Sequence, residues 1–145
     1  MIAYFDSSIL LAILFNEERQ DEAYSYWSDA TTKVSSILLK IETIISLRRM
    51  YELNKKKLNS SWLSEKTKEL DEYLAEINYR IIDEEMEQFI YLKKELSKCR
   101  SLDAIHIATA LMYRENNNNE NIKLYSFDNA MHELAVHYKF GTNKI

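Results

Sequence analysis

A three-layer α/β/α sandwich, with helices on both faces of a central, mostly parallel sheet of four or five strands, is the fold this sequence predicts. Three observations carry that prediction. Short apolar runs rich in strand formers alternate with segments of helical spacing, the pattern of a parallel sheet covered on both sides. Acidic residues, Asp6 and Asp128, stand directly after the first and last of these runs, and sheets of this kind place their sites at the carboxyl ends of strands. At 145 residues and 46% hydrophobic, the chain can bury one substantial core but not two typical ones, so residues 1–145 read as a single domain.

The elements follow in order. Ile2 to Phe5 is a strand closed by Asp6-Ser7-Ser8, after which Ile9 to Phe15 continues as a hydrophobic helix. Glu17 to Ala30 has helical spacing, with Ala23, Tyr26, Trp27 and Ala30 on one face. Thr31 to Ser35 is a second strand, and Ser35 or Ser36 can cap the helix behind it. From Ile37 to Leu53 the apolar positions Leu38, Ile41, Ile45 and Tyr51 recur at helical spacing. Glu42 shares that stripe, which is expected to face inward, while Arg48 and Arg49 lie toward the exposed end.

A polar, basic connection from Asn54 to Ser60 leads to a further helix over Ser61 to Ile77, making a helical hairpin. Tyr79 to Ile82 reads as a strand, Asp83 as a cap, and Glu84 to Lys98 as a helix. Ser101 opens the helix Leu102 to Arg114, whose alanines permit close packing. Asn116 to Asn121 is a polar loop, best treated as a mobile connection; Ile122 to Phe127 is the last clear strand, and Ala130 to Tyr138 the last helix. With no proline and one glycine, Gly141, the turns fall to Asn, Ser and Asp. No internal repeat is present.

Composition excludes some functions. The single cysteine, Cys99, cannot form an internal disulfide, and the opening Met-Ile-Ala-Tyr-Phe lacks a signal-peptide pattern, so the cytoplasm is the expected compartment. No apolar run approaches the roughly 20 residues that cross a bilayer, because Lys40 and Glu42 interrupt Ile37 to Leu47. The formal net charge of -4 argues against binding nucleic acid by overall attraction. It leaves a nuclease open, since an acidic metal site inflates the negative count and bound cations offset it. Local basic groups then matter: Arg48 with Arg49, Lys55 to Lys57, and Lys98 with Arg100.

Asp6, Glu42, Asp103 and Asp128 each sit within or directly after an apolar stretch, where an unpaired charge costs several kcal/mol to bury. Asp6 and Asp128 end strands, and Glu42 and Asp103 lie on helices expected to turn them toward the same sheet end. Two unit charges roughly 4 Å apart repel by about 4 kcal/mol at an effective dielectric near 20, so such a cluster needs a cation. Hard oxygen donors select Mg²⁺ or Mn²⁺. One or two such ions would activate water and neutralise charge during phosphodiester hydrolysis. Ser7, Ser8 and Ser126 are close enough in sequence to orient ligands or water around the acids.

Each acid also has a plainer reading. Asp6 and Asp128 are good helix caps, and Glu42 and Asp103 can pair with Arg48 or Arg100. Four such coincidences in one small domain are far less probable than one. His106, one turn beyond Asp103, fits a histidine hydrogen-bonded in the wall better than a substrate contact. The basic residues Arg48, Arg49, Lys98 and Arg100 are candidate RNA contacts, set against the reading of solvated surface.

In order and context the acids resemble the PIN-domain ribonucleases, most closely the VapC-type toxins of toxin–antitoxin pairs. Ile2-Ala-Tyr-Phe-Asp6-Ser-Ser8 is similar to the family's opening strand and acid, and Val34-Ser-Ser to Ile41-Glu42 to its second strand and glutamate helix. Arg100-Ser-Leu-Asp103-Ala-Ile-His-Ile-Ala-Thr-Ala110 resembles the third acidic motif, and Leu124-Tyr-Ser126-Phe-Asp128 the fourth. The resemblance covers nearly the whole chain. It implies a PIN-like fold and a Mg²⁺- or Mn²⁺-dependent endoribonuclease that arrests translation by cutting structured RNA such as tRNA or rRNA. It further implies a VapB-like antitoxin lying across the acidic site and a toxin that forms a homodimer. The segment Lys139 to Ile145 is shorter and more polar than the family's usual last strand.

Rival classes fit less well. A phosphoacceptor domain needs a central-strand Asp and a late strand-end Lys, and an aspartyl phosphatase needs a second Asp where Ser8 stands. A PIN-type nuclease of RNA processing outside a toxin–antitoxin pair shares the chemistry. A non-catalytic binding module would not need all four acids.

Overall fold

A computed structural model describes residues 1–118 and 121–144 of the chain. The elements are β1 (Ile2–Phe5), α1 (Ser7–Leu14), α2 (Gln20–Asp29), β2 (Thr32–Ser36), α3 (Ile37–Asn54), α4 (Trp62–Leu74), β3 (Ile77–Arg80), α5 (Glu84–Leu92), α6 (Ser101–Asn116), β4 (Lys123–Tyr125) and α7 (Asn129–His137). A 3₁₀ segment, Lys94–Lys98, lies between α5 and α6. The strands form one sheet in the order β3-β2-β1-β4, and every pairing is parallel. The expected α/β/α sandwich is therefore present with four strands. Where a fifth was in question, the tail makes a single bridge, Lys123 to Gly141, with the Leu124 N–H donating to the Gly141 carbonyl at 2.8 Å.

Alternation along β1 sorts the core into two layers. Ala3 and Phe5 pack with Leu10, Leu14, Trp27, Leu39, Leu47 and Leu70, contributed by α1 to α4. Tyr4 faces the other way, onto Ala104, Ile107, Ala108 and Leu111 of α6 and Met131 of α7. The alanines let α6 approach the sheet closely, as its composition predicts. Strand-end residues cap four helices: Asp6 accepts from the Ser8 N–H, Ser36 from Leu38, Asp83 from Met86 and Asp128 from Met131, at 2.9 to 3.0 Å. In place of glycine, Asn16 (φ 50°) and Asn118 (φ 57°) take the left-handed conformation where α1 and α6 end.

Four expectations are corrected. Ile41 and Ile45 are exposed, at 47% and 49%, and α3 instead buries Leu38, Leu39, Thr43 and Leu47. Apolar residues surround much of this helix, so its periodicity admits more than one stripe, and packing against α1 and α4 selects the stripe through Leu39, Thr43 and Leu47. The helix expected through Ile77 stops at Leu74, because Ile77 is drawn into pairing with Lys33 of β2. That moves the strand expected over Tyr79 to Ile82 back to Ile77–Arg80 and leaves Ile81 and Ile82 exposed.

The helix expected over Glu84 to Lys98 breaks at Lys93, since α5 packs on α6 and the chain must reverse between them. The 3₁₀ segment makes that reversal and buries Leu96. The predicted loop Asn116 to Asn121 is described only in part: Asn116 ends α6, and residues 119–120 lie outside the described residues, as does 145. No helix among the described residues is long and apolar enough to cross a membrane.

Candidate active site

The chain runs from β1 outward through β2 to β3 and then returns to place β4 on the other side of β1. The switch point of the sheet lies between β1 and β4, where α/β sheets hold their ligands. Asp6 and Asp128 follow those two strands. At Asp6 the carboxylate is buried and both oxygens are occupied: Oδ1 accepts from the Ser8 N–H and hydroxyl, and Oδ2 from the Ser126 hydroxyl. The two serines tie the corner together, because the Phe127 N–H donates to Ser8 Oγ at 2.9 Å and the Asp128 N–H to Ser126 Oγ at 3.0 Å. Burial pushes the Asp6 carboxyl above its ordinary range, and the hydrogen bonds from Ser126 and Ser8, with the nearby His106, oppose that rise.

Glu42, Asp103 and Asp128 line one cleft together with Arg100, Ser101 and Leu102. Asp103 stands in the first turn of α6, where the helix dipole favours a negative charge. Its carboxyl is nevertheless held above the usual range, first by desolvation and then by the Asp128 charge, with Glu42 adding to the repulsion and Arg100 and His106 opposing it. The Arg100 guanidinium lies 3.6 Å from Asp103 Oδ2 and its side chain is 80% exposed, a loose surface pair rather than a buried clamp. Glu42 is anchored from behind: its Oε1 is 2.8 Å from His106 Nε2, and His106 Nδ1 is 2.6 Å from the Tyr4 hydroxyl.

The sequence-predicted residues thus divide. Glu42, Asp103 and Asp128 share a cleft, and Asp6 sits behind it, linked to the backbone of Asp128 through Ser126. Ser8 and Ser126 bond to Asp6 through their hydroxyls; Ser7 is half-buried and makes no side-chain hydrogen bond among the described residues. Arg100 and Lys98 line an adjoining pocket that shares Asp103 with the cleft. Arg48 and Arg49 are exposed on α3 and line neither.

Sequence reasoning placed His106 in the wall but missed Tyr4, which shares a strand face with Asp6, and Asn143. The Asn143 side chain is bonded to both sides of Ser126: the Ser126 N–H donates to Oδ1 and Asn143 Nδ2 donates to the Ser126 carbonyl, each at 2.9 Å. The parity of Tyr4 and Asp6 was a usable signal; Asn143 offered none.

As the side chains stand, no three His, Cys, Asp or Glu groups among the described residues converge into a metal-holding group. The donor chemistry of the cleft does fit a hard divalent ion: it offers three carboxylates, and the Asp128 and Glu42 charges that raise Asp103 further, beyond its desolvation, are the field a cation relieves.

The class of protein defined here is a parallel α/β/α domain with a carboxylate-lined cleft at the switch point of its sheet. More specifically, the chain belongs to the PIN-domain family, whose profile matches residues 3–136. Domains of this family are generally nucleases, which puts the chain among the hydrolases. Among solved structures it is similar to one described as a toxin–antitoxin complex from Klebsiella pneumoniae, with a TM-score of 0.61 and 17% sequence identity over 87% of this chain and 86% of the other. At that identity the likeness bears on the fold. No match was found among curated proteins.

Proposed function

We propose that this chain is a Mg²⁺- or Mn²⁺-dependent endoribonuclease, the VapC-type toxin of a toxin–antitoxin pair, which arrests translation by cutting structured RNA such as tRNA or rRNA. The observation that carries this reading is the convergence of Glu42, Asp103 and Asp128 on one cleft, with Asp6 behind it, at the switch point of a PIN fold. Glu42, Asp103 and Asp128 would hold the ion, with Asp6 completing the site. When bound, the ion supplies an activated water and charge neutralisation at the phosphate.

The chain's own groups do the rest. Ser8 and Ser126 fix the Asp6 corner, and the cleft carboxylates orient the attacking water. Arg100 and Lys98, beside Asp103, bind the RNA backbone, with Arg48 and Arg49 farther out. The partner is a VapB-like antitoxin that covers the cleft, and the toxin acts as a homodimer. The toxin–antitoxin description of the structural neighbour supports the partner assignment.

The test is expression of the chain alone and beside its neighbouring small gene, with mapping of RNA 5′ ends and cleavage by purified protein in Mg²⁺ or Mn²⁺. Growth arrest relieved by the neighbour, and cleavage lowered about 100-fold or more by Asp103→Asn, are expected. Full toxicity of a folded Asp103→Asn variant would sink the mechanism.

A further inference from the structure

The buried pair Tyr4 and His106 lies in the alanine-rich layer between β1 and α6, and apolar side chains of similar shape would fill that space with no polar group to satisfy. Both are essentially inaccessible, at 0% and 3%. Their hydrogen bonds do not end in the core. They run from Tyr4 through the imidazole to Glu42, whose side chain is 24% exposed in the wall of the cleft. A carboxylate only accepts, so His106 Nε2 is the donor to Oε1. Burial keeps the Tyr4 hydroxyl protonated, which lets it donate to Nδ1.

The three residues come from β1, which leads directly into Asp6, and from α3 and α6, which carry Glu42 and Asp103. Tyr4 is on the same strand face as Asp6, and His106 is one turn from Asp103, so a single α6 turn supplies a cleft carboxylate and the anchor of another. Glu42 has no other side-chain partner among the described residues, which leaves Oε2 to the cleft. Resting on the nuclease reading above, we propose that His106, oriented by Tyr4, is a positioning residue that fixes the Glu42 carboxylate in the active cleft and thereby sets the spacing of the acids.

The test combines full-length wild type with His106→Leu, His106→Gln and Tyr4→Phe, each also made with Glu42→Ala. Mn²⁺ binding is followed by electron paramagnetic resonance without RNA, and kcat and KM by RNA cleavage. Expected is a loss of about 10- to 100-fold in Mn²⁺ affinity and kcat for His106→Leu, the range for removing a group that orients a metal ligand, with little change in KM for RNA. His106→Gln, which keeps an N–H donor toward Glu42, recovers part of that loss, and Tyr4→Phe shows a smaller one.

In the Glu42→Ala background neither His106→Leu nor Tyr4→Phe lowers Mn²⁺ binding further, which a merely structural defect would do. Folded variants that match wild type in Mn²⁺ binding and kcat overturn the proposal, as do losses that persist undiminished without Glu42. Should His106→Leu fail to fold, Tyr4→Phe, which keeps the ring, decides between the same outcomes. A wild-type chain that neither binds Mn²⁺ nor cleaves RNA takes the nuclease reading down as well, whereas an active wild type with indifferent variants removes the positioning role alone.

Discussion

Ala3 and Phe5 of β1 face one helical layer and Tyr4 faces the other, and the two layers are built differently. The first is rich in aromatic side chains: Phe5 packs on Trp27 and Tyr125 with ring centroids 4.9 and 5.6 Å apart, and Tyr26 stacks on Tyr125 at 4.4 Å, with Thr43 a buried polar side chain whose hydroxyl turns back to its own helix. The second is built from alanines, which bring α6 close, and it admits buried polar groups, Tyr4, His106 and Thr109. Each of these is hydrogen-bonded, since an orphan would cost about 1 to 3 kcal/mol. The contrast teaches that one face of the sheet serves stability while the other gives up some apolar contact to hold a carboxylate in place.

The strongest way to break this contrast is to truncate one side chain on each face. Phe5→Ala should lower unfolding free energy by about 3 to 5 kcal/mol in denaturant titration, because a fully buried aromatic leaves a cavity. Tyr4→Phe, which leaves His106 Nδ1 without its partner but opens no cavity, should cost about 1 to 3 kcal/mol. Equal costs would mean that the polar face is as much a stability core as the aromatic one.

A middle-sized effect tests the acids on the polar side. Asp103 is held above its ordinary value of 3.8 by burial and then by its acidic neighbours, so the folded chain binds that proton more tightly than the unfolded chain. The resulting stability is complete below pH 3.8 and is lost as pH rises through the higher folded value. Asp103→Asn should therefore raise the melting temperature of metal-free protein at pH 7, and the gain should shrink as pH falls toward 4. A variant less stable than wild type at pH 7 would show that Asp103 is paired rather than repelled. The smallest effect is expected outside both layers. Ile45→Ala should change stability by no more than about 0.5 kcal/mol, where a buried stripe through Ile45 would cost about 2 to 5.

What could be read from the chain follows the range of the interactions involved. Asp6 and Asp128 were legible because apolar strand, acid and helix are adjacent in sequence, and the same adjacency made them caps as well as candidates for the site. Asp103 was legible through the motif around it. Asparagine at the left-handed helix ends, Asn16 and Asn118, follows from having almost no glycine. The inward stripe of α3 was not legible, because Ile41 and Ile45 are as apolar as Leu39 and Leu47 and only the packing of α1 and α4 chooses between them. Nor was the partner of Glu42, which lies 64 residues away. The boundary at Ile77 went wrong for the same reason: helical spacing is local, whereas pairing with Lys33 is not.

The clasp of Asn143 on Ser126 has a consequence for the timing of synthesis. A ribosome makes Asp6 well before Asn143, yet the serine that holds Asp6 is itself held by Asn143. The corner at β1 therefore waits, unfinished, until Asn143 has been made. The bonds that lock it thus come only after every element from β1 to α7 has been translated.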